Sequence, residues 1–418
     1  MNNTIRVNVT SEIGTLQGVI IHSPGSEVEN MTPQNAERAL YSDILNLSVL
    51  KQEYAVFKQL LEHTTRTFEI RHLLETILDE ESARNFLLPA ICKNEHVEHI
   101  YNELAGLTSD VLARQLVEGV PLRKDTLTSF LSGERYALQP LHNFFFTRDA
   151  AFTINDGIHI GRMRSRVRER ESLIMEALFR YHPFFSNAKV MVPDYHIFGP
   201  ESYIEGGDIL VVRDNLFLIG IGARTSSTGI DGFLEILKTT GRSFDIVIQE
   251  LPVSPESFIH LDMVFTILDR GLYMIYEPVI LSKHDFQTVH INIREGSVQL
   301  IREEKNLLNA LENLGMGGSY ITCGGTKDLW SQEREQWHSG TNFFALGPGR
   351  IIGYSRNIHT LDELAKNDFA VLNGEEVLKG NIVPESYNKY VITIDASELP
   401  RGGGGCRCMT MPVSRDEV

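Results

Sequence analysis

The stretch GGDILVVRDNLFLIGIGARTS, residues 206–226, sets two short runs of β-branched and aromatic side chains on either side of Arg213-Asp214-Asn215. Such runs flanking residues that tolerate unusual backbone angles read as a β-hairpin. The same plan returns in AAFTINDGIHIGRM (150–163) around Asn155-Asp156-Gly157 and in LDMVFTILDRGLYMIYEPVI (261–280) around Asp269-Arg270-Gly271. It returns again in NFFALGPGRIIGYSRN (342–357) around Gly347-Pro348-Gly349. TLQGVIIHSPG (15–25) reads as a degenerate fifth member. Helix-like segments such as ESLIMEALFRYHP (171–183) and further β-rich runs such as FDIVIQELP (244–252) lie between the hairpins. The repeating unit is therefore strand–strand–helix–strand, and recurrence on this scale signals radial or stacked modules. Four or five such units closing into a ring would set the hairpin ends around a central channel. A mixed α+β domain with several hairpins fits the same pattern.

One segment breaks the rhythm. Over residues 74–132 apolar side chains recur at helical spacing, with Pro89 and Gly119 as expected interruptions. This predicts a small bundle of short helices inserted between residues 1–73 and 133–418.

The chain has 418 residues, 42% hydrophobic and 22% charged, the composition of an ordinary globular protein. Neither an apolar leader at the N-terminus nor a long uncharged apolar run is seen, so neither secretion nor a membrane partner is expected. Four cysteines suit a reducing cytoplasm rather than a disulfide framework. A net charge of −16 argues against nucleic acid as a partner, because binding it requires basic surface that releases counterions. That charge permits attraction of a small cation.

Polar residues fall at comparable places beside the hairpins. Phe146-Thr147-Arg148-Asp149 precedes the first, Glu205-Gly206-Gly207-Asp208 opens the second, and His260-Leu261-Asp262 opens the third. His260 and Asp262 share a face if that segment is a strand. RGGGGCRCMTMP (401–412) closes the set. Cys406-Arg407-Cys408 lacks a second cysteine pair for a metal site, and a disulfide between the two would close a strained small ring. A thiol on a mobile, backbone-rich loop remains, with glycines that admit a ligand close to the main chain.

Taken together these residues resemble the arginine deiminases, members of the wider guanidine-modifying (pentein) family. The likeness runs nearly end to end through PLHNFFFTRD (140–149), VRERES (167–172), IEGGD (204–208), GIGARTS (220–226), HLDMVFT (260–266), GYSRN (353–357) and SELPRGGGGCRCMTMP (397–412). The resemblance implies a five-bladed pseudo-symmetric α/β propeller of ββαβ modules with a helical-bundle insertion. It implies conversion of L-arginine to L-citrulline and ammonia, without metal or organic cofactor, by a homo-oligomer.

By the same resemblance Cys408 is the nucleophile, His260 the general acid–base and Glu205 its companion. Asp149 and Asp262 grip the guanidinium, and Arg168 and Arg224 receive the substrate carboxylate. Asn143 and Phe146 line the pocket, Arg401 sits on the mobile cysteine loop, and Cys406 is incidental. The chemistry fits these residue types, since carboxylates hold a guanidinium by charge-assisted hydrogen bonds and a thiolate is a strong nucleophile near neutral pH. The cationic substrate, Arg401 or Arg407 would favour that thiolate.

Four places depart from the family's usual spelling: His142 for proline, Ser339 for aspartate, Tyr54 for histidine, and the residue following Asp149. The fold is also compatible with an agmatine deiminase, a methylarginine hydrolase, an amidinotransferase or a non-catalytic arginine-binding protein. Arg168 and Arg224 discriminate against agmatine, which has no carboxylate.

Overall fold

The computed structural model describes residues 4–31, 43–193, 198–281 and 286–418. Among them, five sheets of three or more strands share one plan, in which an antiparallel pair is extended by a strand parallel to its inner member. Ala151–Ile154 pairs antiparallel with Gly157–Ile160, which runs parallel to Lys189–Met191. Ile209–Arg213, Leu216–Ile221 and Phe244–Glu250 repeat the arrangement. So do Phe265–Asp269, Leu272–Ile275 and Ser319–Thr322. Phe344–Gly347, Arg350–Tyr354 and Tyr390–Ile394 do the same, with Ala370–Asn373 added at the edge. The hairpin Thr288–Arg294/Ser297–Glu304 extends the Phe244–Glu250 strand.

The predicted hairpins turn where expected. Asn155, Gly271 and Gly349 supply positive φ there, and Gly is the residue that tolerates this without steric conflict. The parallel step needs a crossover, and helices Glu169–Tyr181, Ser227–Thr239, Leu307–Asn313 and Ile358–Lys366 supply it. The 15–25 segment is a module of a different kind. Leu16–Ile21 lies parallel to Arg66–Glu69, but its antiparallel partner is Met411–Arg415, from the other end of the chain. The hairpin expected there is thus replaced by a pairing that ties the chain's two ends together.

Helices Ile70–Ile77, Glu81–Glu95, Tyr101–Ala105, Ser109–Glu118 and Leu127–Leu131 fill the stretch read as a bundle. Pro89 does not interrupt this stretch, because it lies inside Glu81–Glu95. Gly119 does end a helix, at φ +88°. The bundle's buried Leu73, Leu87, Ile91 and Leu116 belong to one apolar cluster with Ile20, Ile158, Ile174 and Met411, so it is fused to the sheets rather than tethered to them.

In each of these five sheets a short turn precedes the outer strand of the antiparallel pair: residues 147–150, Gly206–Asp208, Leu261–Met263, 338–341 and 406–409. His260-Leu261-Asp262 is therefore turn, not strand, and its side chains are placed by a 3₁₀ twist rather than by alternation. Charged groups meet where these turns converge. Arg407 Nε and Nη2 each donate to Glu12 at 3.0 Å, Nη1 donates to Asp262 Oδ2 at 2.7 Å, and Nη2 also donates to the Ile209 carbonyl at 2.7 Å. Arg148 and Arg415 are buried close by. Although burial opposes ionisation, Arg407 and Arg148 hold the Glu12 carboxyl down at about 2.

Removing one partner of a buried ion network leaves uncompensated charge. Glu12→Leu should accordingly destabilise the fold by about 3–5 kcal/mol. The expected observation is a urea midpoint moved to lower denaturant at unchanged slope.

Candidate active site

A cleft of ≈ 750 Å³ lies at the hairpin-turn end and is lined by Asp156, Asp214, Arg270 and their neighbours, with none of the chemical groups singled out above. Those groups surround a much smaller cavity, ≈ 40 Å³, lined by Asn143, Phe146, Asp149, Arg168, Arg224, Ile259, His260, Met263, Gly402–Gly404 and Cys408. A void of this size holds about three water molecules. Glu205 and Asp262 stand immediately behind its wall, hydrogen-bonded to His260 and in van der Waals reach of Cys408 respectively. Arg401 is not at the cavity. Its side chain is 39% exposed, and the guanidinium donates to Asp43 Oδ2 at 3.0 Å through Nε and is paired with Glu398 at 2.5 Å.

The turns explain why particular residues are needed. A Cβ on Gly207 would meet His260 Nδ1 at 2.5 Å and Asp149 Oδ1 at 3.0 Å, and one on Gly206 would meet the Arg148 carbonyl at 2.2 Å. The glycine pair of IEGGD is thus required by close approach, Gly206 to the Arg148 main chain and Gly207 to His260 and Asp149, not by an unusual φ. In the Gly402–Gly405 run, Gly403 alone has positive φ (+85°). A Cβ on Gly404 would meet the Phe146 ring at 2.5 Å, and one on Gly405 would meet Asn342 at 2.6 Å. The loop expected to be mobile packs tightly in this structure, and Cys408 is buried.

His260 Nε2 lies 3.0 Å from Glu205 Oε2, and Nδ1 is 3.7 Å from Asp149 Oδ1. Burial alone would depress the imidazolium, but Asp149, Asp208 and the Glu205 hydrogen bond outweigh it and raise His260 to about 9. Burial would raise Glu205, yet Arg224, the His260 hydrogen bond and Arg168 keep it at about 2. The pair is therefore an ion pair at neutral pH. Arg168 is held bidentately by Glu171, both contacts 3.0 Å, and its Nη2 also meets Asp149 Oδ2 at 2.9 Å. Arg224 Nη1 is 3.8 Å from Glu205.

Cys408 Sγ is 3.8 and 3.9 Å from the two oxygens of Asp262. Burial first, then the negative charges of Asp262 and Asp149, push its thiol well above the ordinary range. Of the two arginines offered as activators, Arg401 turns to Asp43, whereas Arg407 does favour the thiolate but is outweighed by burial, Asp262 and Asp149. Cys406 is fully buried in the apolar cluster with Leu399 and Met409. Asp149, Glu205 and His260 each bring one donor atom within 4.8 Å of the others, the spacing of a metal triad. Their negative charge is already met by Arg168, Arg224 and the imidazolium, which suits a proton relay.

The motif reading missed Glu171, Asn342 and Met263. Glu171 lies within VRERES and anchors Arg168. Asn342, the last residue of WHSGTN, accepts from the Arg407 and Cys408 amides. Met263 Sδ is 3.9 Å from Cys408 Sγ.

The arginine deiminase family model matches residues 37–415. The chain belongs to the arginine deiminase family. It is 32% identical over 424 residues to the arginine deiminase of Mycoplasma capricolum, covering 99% of this chain and 98% of the relative. It is 31% identical over 430 residues to that of Borreliella afzelii, with the same coverage. Among solved structures, the N-terminal domain of ArgZ, an arginine dihydrolase from the ornithine–ammonia cycle in cyanobacteria, superposes with a TM-score of 0.52 at 13% identity, covering 95% of this chain and 97% of that one. The amidinotransferase SxtG of Microseira wollei gives 0.52 at 14% identity, covering 99% and 98%. At such identities these two likenesses bear on the fold alone. No helix among the described residues is long and apolar enough to cross a membrane.

Removing the charge beside Cys408 should lower its thiol pKa. In the unliganded protein, iodoacetamide alkylation of Cys408 should be slow at pH 7–8 and accelerate only at higher pH. Asp262→Asn should move that rise to lower pH, as followed by mass spectrometry of the Cys408 peptide.

Proposed function

We propose that the cavity around Cys408 hydrolyses L-arginine to L-citrulline and ammonia, with residue roles as follows. The carrying observation is the convergence of a thiol, an imidazolium–carboxylate pair, a cavity-facing carboxylate and two arginines on one enclosed site, in a chain of the arginine deiminase family. Asp149 Oδ1 is buried at the cavity with no hydrogen-bond partner among the described residues, which makes it an acceptor prepared for a substrate N–H. In the unliganded structure the guanidinium of Arg168 occupies the other oxygen of Asp149. Substrate guanidinium takes over Asp149, and Arg168, with Arg224, turns to the substrate carboxylate. The cavity widens as this exchange proceeds, since its present volume does not admit an amino acid.

Arrival of a cation beside Asp149 and Asp262 offsets the two charges that hold the Cys408 proton, and the thiol gives that proton to solvent water, leaving the thiolate. Sγ attacks the guanidinium carbon, giving a tetrahedral adduct. His260, charged at neutral pH, gives its proton to the departing nitrogen, so ammonia leaves and an S-alkylthiouronium remains on Cys408. The now neutral His260 takes a proton from water, the hydroxide adds to the same carbon, and collapse breaks the C–S bond to release citrulline. Glu205 keeps the imidazole oriented through both transfers. Acid–base help of this kind contributes roughly 10²–10⁴-fold.

Within this reading the five sheets are the blades of a propeller whose axis carries the Arg407 network. Their shared ββαβ plan supports it, as does the chain-end pairing that completes the first sheet. Residues 1–73 and 133–418 form this catalytic body, 74–132 the helical insertion, and the working enzyme is a homo-oligomer.

Cys408→Ser should lower kcat by at least about a thousandfold, whereas Cys406→Ser should stay within about threefold of the wild type, measured as citrulline release. Arg224→Ala should raise KM for arginine roughly ten- to a hundredfold, the range of one lost hydrogen bond between charged groups. It should leave the rate measured with agmatine nearly unchanged. Agmatine turned over as fast as arginine would overturn the carboxylate anchor.

A further inference from the structure

Four of the five turns that precede a sheet carry a group of the proposed mechanism at or beside them: Asp149, Glu205, His260 with Asp262, and Cys408. The fifth, before Phe344–Gly347, carries none. Its Asn342 nevertheless points inward, is only 2% exposed, and touches two of the other turns. Oδ1 accepts from Arg407 N at 2.9 Å and from Cys408 N at 3.2 Å. Nδ2 donates to the Asp262 carbonyl at 3.1 Å and approaches Met263 Sδ at 3.6 Å. Both lone pairs and both N–H groups of the amide are thus committed to the residues that hold the nucleophile and its neighbouring carboxylate.

The turn that presents Asn342 is itself fixed to the same neighbour. Thr341 Oγ1 donates to Gln336 Oε1 at 2.7 Å, and Gln336 Nε2 donates to the Met263 carbonyl and to the Ser257 carbonyl. Thr266 Oγ1 donates to the Thr341 carbonyl at 2.7 Å. On the other side, Gly405 leaves no room for a side chain, because its Cβ would meet Asn342 at 2.6 Å. The Asn342 amide thus fills the space between the two turns.

We infer that Asn342 is a positioning residue that sets the distance and angle between Cys408 Sγ and Asp262, and so between the attacking sulfur and the guanidinium carbon. This rests on the proposed roles of Cys408 and Asp262. Asn342 does not line the cavity and touches neither Arg168 nor Arg224, so it acts on attack geometry and not on substrate affinity. Misplacing a reacting group by about 1 Å can lower a rate by about a hundredfold.

The test compares wild type, N342A, C408S and the double variant N342A/C408S as full-length proteins. Citrulline release gives kcat and KM, and calorimetry of L-arginine binding gives affinity in the two C408S proteins, where no turnover interferes. The expected result is a kcat for N342A lowered about a hundredfold with KM within threefold, and equal arginine affinities for C408S and N342A/C408S. Wild-type kcat in N342A overturns the role of Asn342. A kcat loss matched by lost arginine affinity in N342A/C408S overturns it as well, because the residue is then merely structural. Turnover retained in C408S overturns the nucleophile assignment on which the inference stands, and is distinguished from both other failures by occurring with Asn342 intact.

Discussion

Everything near the reactive thiol depends on one buried guanidinium. Arg407 directly precedes Cys408, and its donors go to Glu12 near the N-terminus, to Asp262 in a neighbouring turn, and to the Ile209 carbonyl at the start of another sheet. Taking such charges out of water is unfavourable by several kcal/mol per ion unless each is met at short range. The segments carrying these groups are therefore held in register, because letting any one drift leaves a buried charge unmet. The residue after Arg407 inherits that fixity.

The same charges shape reactivity. Cys408 faces Asp262 and Asp149, which keep its proton on, while Arg168, Arg224 and His260 neutralise Glu205 and one side of Asp149. The unliganded site thus presents a protonated sulfur and a charged imidazole. It lacks a mobile positive charge beside the carboxylates, which is what a guanidinium brings. Selectivity for a cation and ionisation of the thiol then have a common origin, and bystander electrophiles meet the thiol in its less reactive form.

Much of this was legible in the sequence because it is local. Turn residues such as Asp269-Arg270-Gly271 mark hairpins through their own backbone preferences, and the helical spacing after residue 74 marks the bundle. What stayed hidden depends on residues far apart. Nothing around Leu16–Ile21 reveals that its antiparallel partner is Met411–Arg415. Pro89 reads as a helix breaker, although tertiary packing keeps it within a helix. The glycines of IEGGD read as turn formers, whereas Gly207 leaves room for the His260 imidazole and Gly206 for the Arg148 main chain. His260 and Asp262 read as sharing a strand face, whereas a 3₁₀ turn sets their side chains, and Asp43 and Glu398 draw Arg401 outward from the cavity. Asn342 carries no signal of its own, since an asparagine before a strand is ordinary until the groups it bridges are known.

The pairing of Leu16–Ile21 with Met411–Arg415 bears on the order in which the molecule matures. A contact between segments so distant in sequence is slow to form, because the whole intervening chain must first be organised to bring the ends together. Cys408 lies just ahead of that closing strand, on the turn that Arg407 anchors. Its surroundings thus depend on the pairing of greatest sequence separation in that sheet, and the thiol is placed only where that pairing is made. Chemical competence and completion of the fold become a single event, so the chain acquires its reactivity only once it is whole.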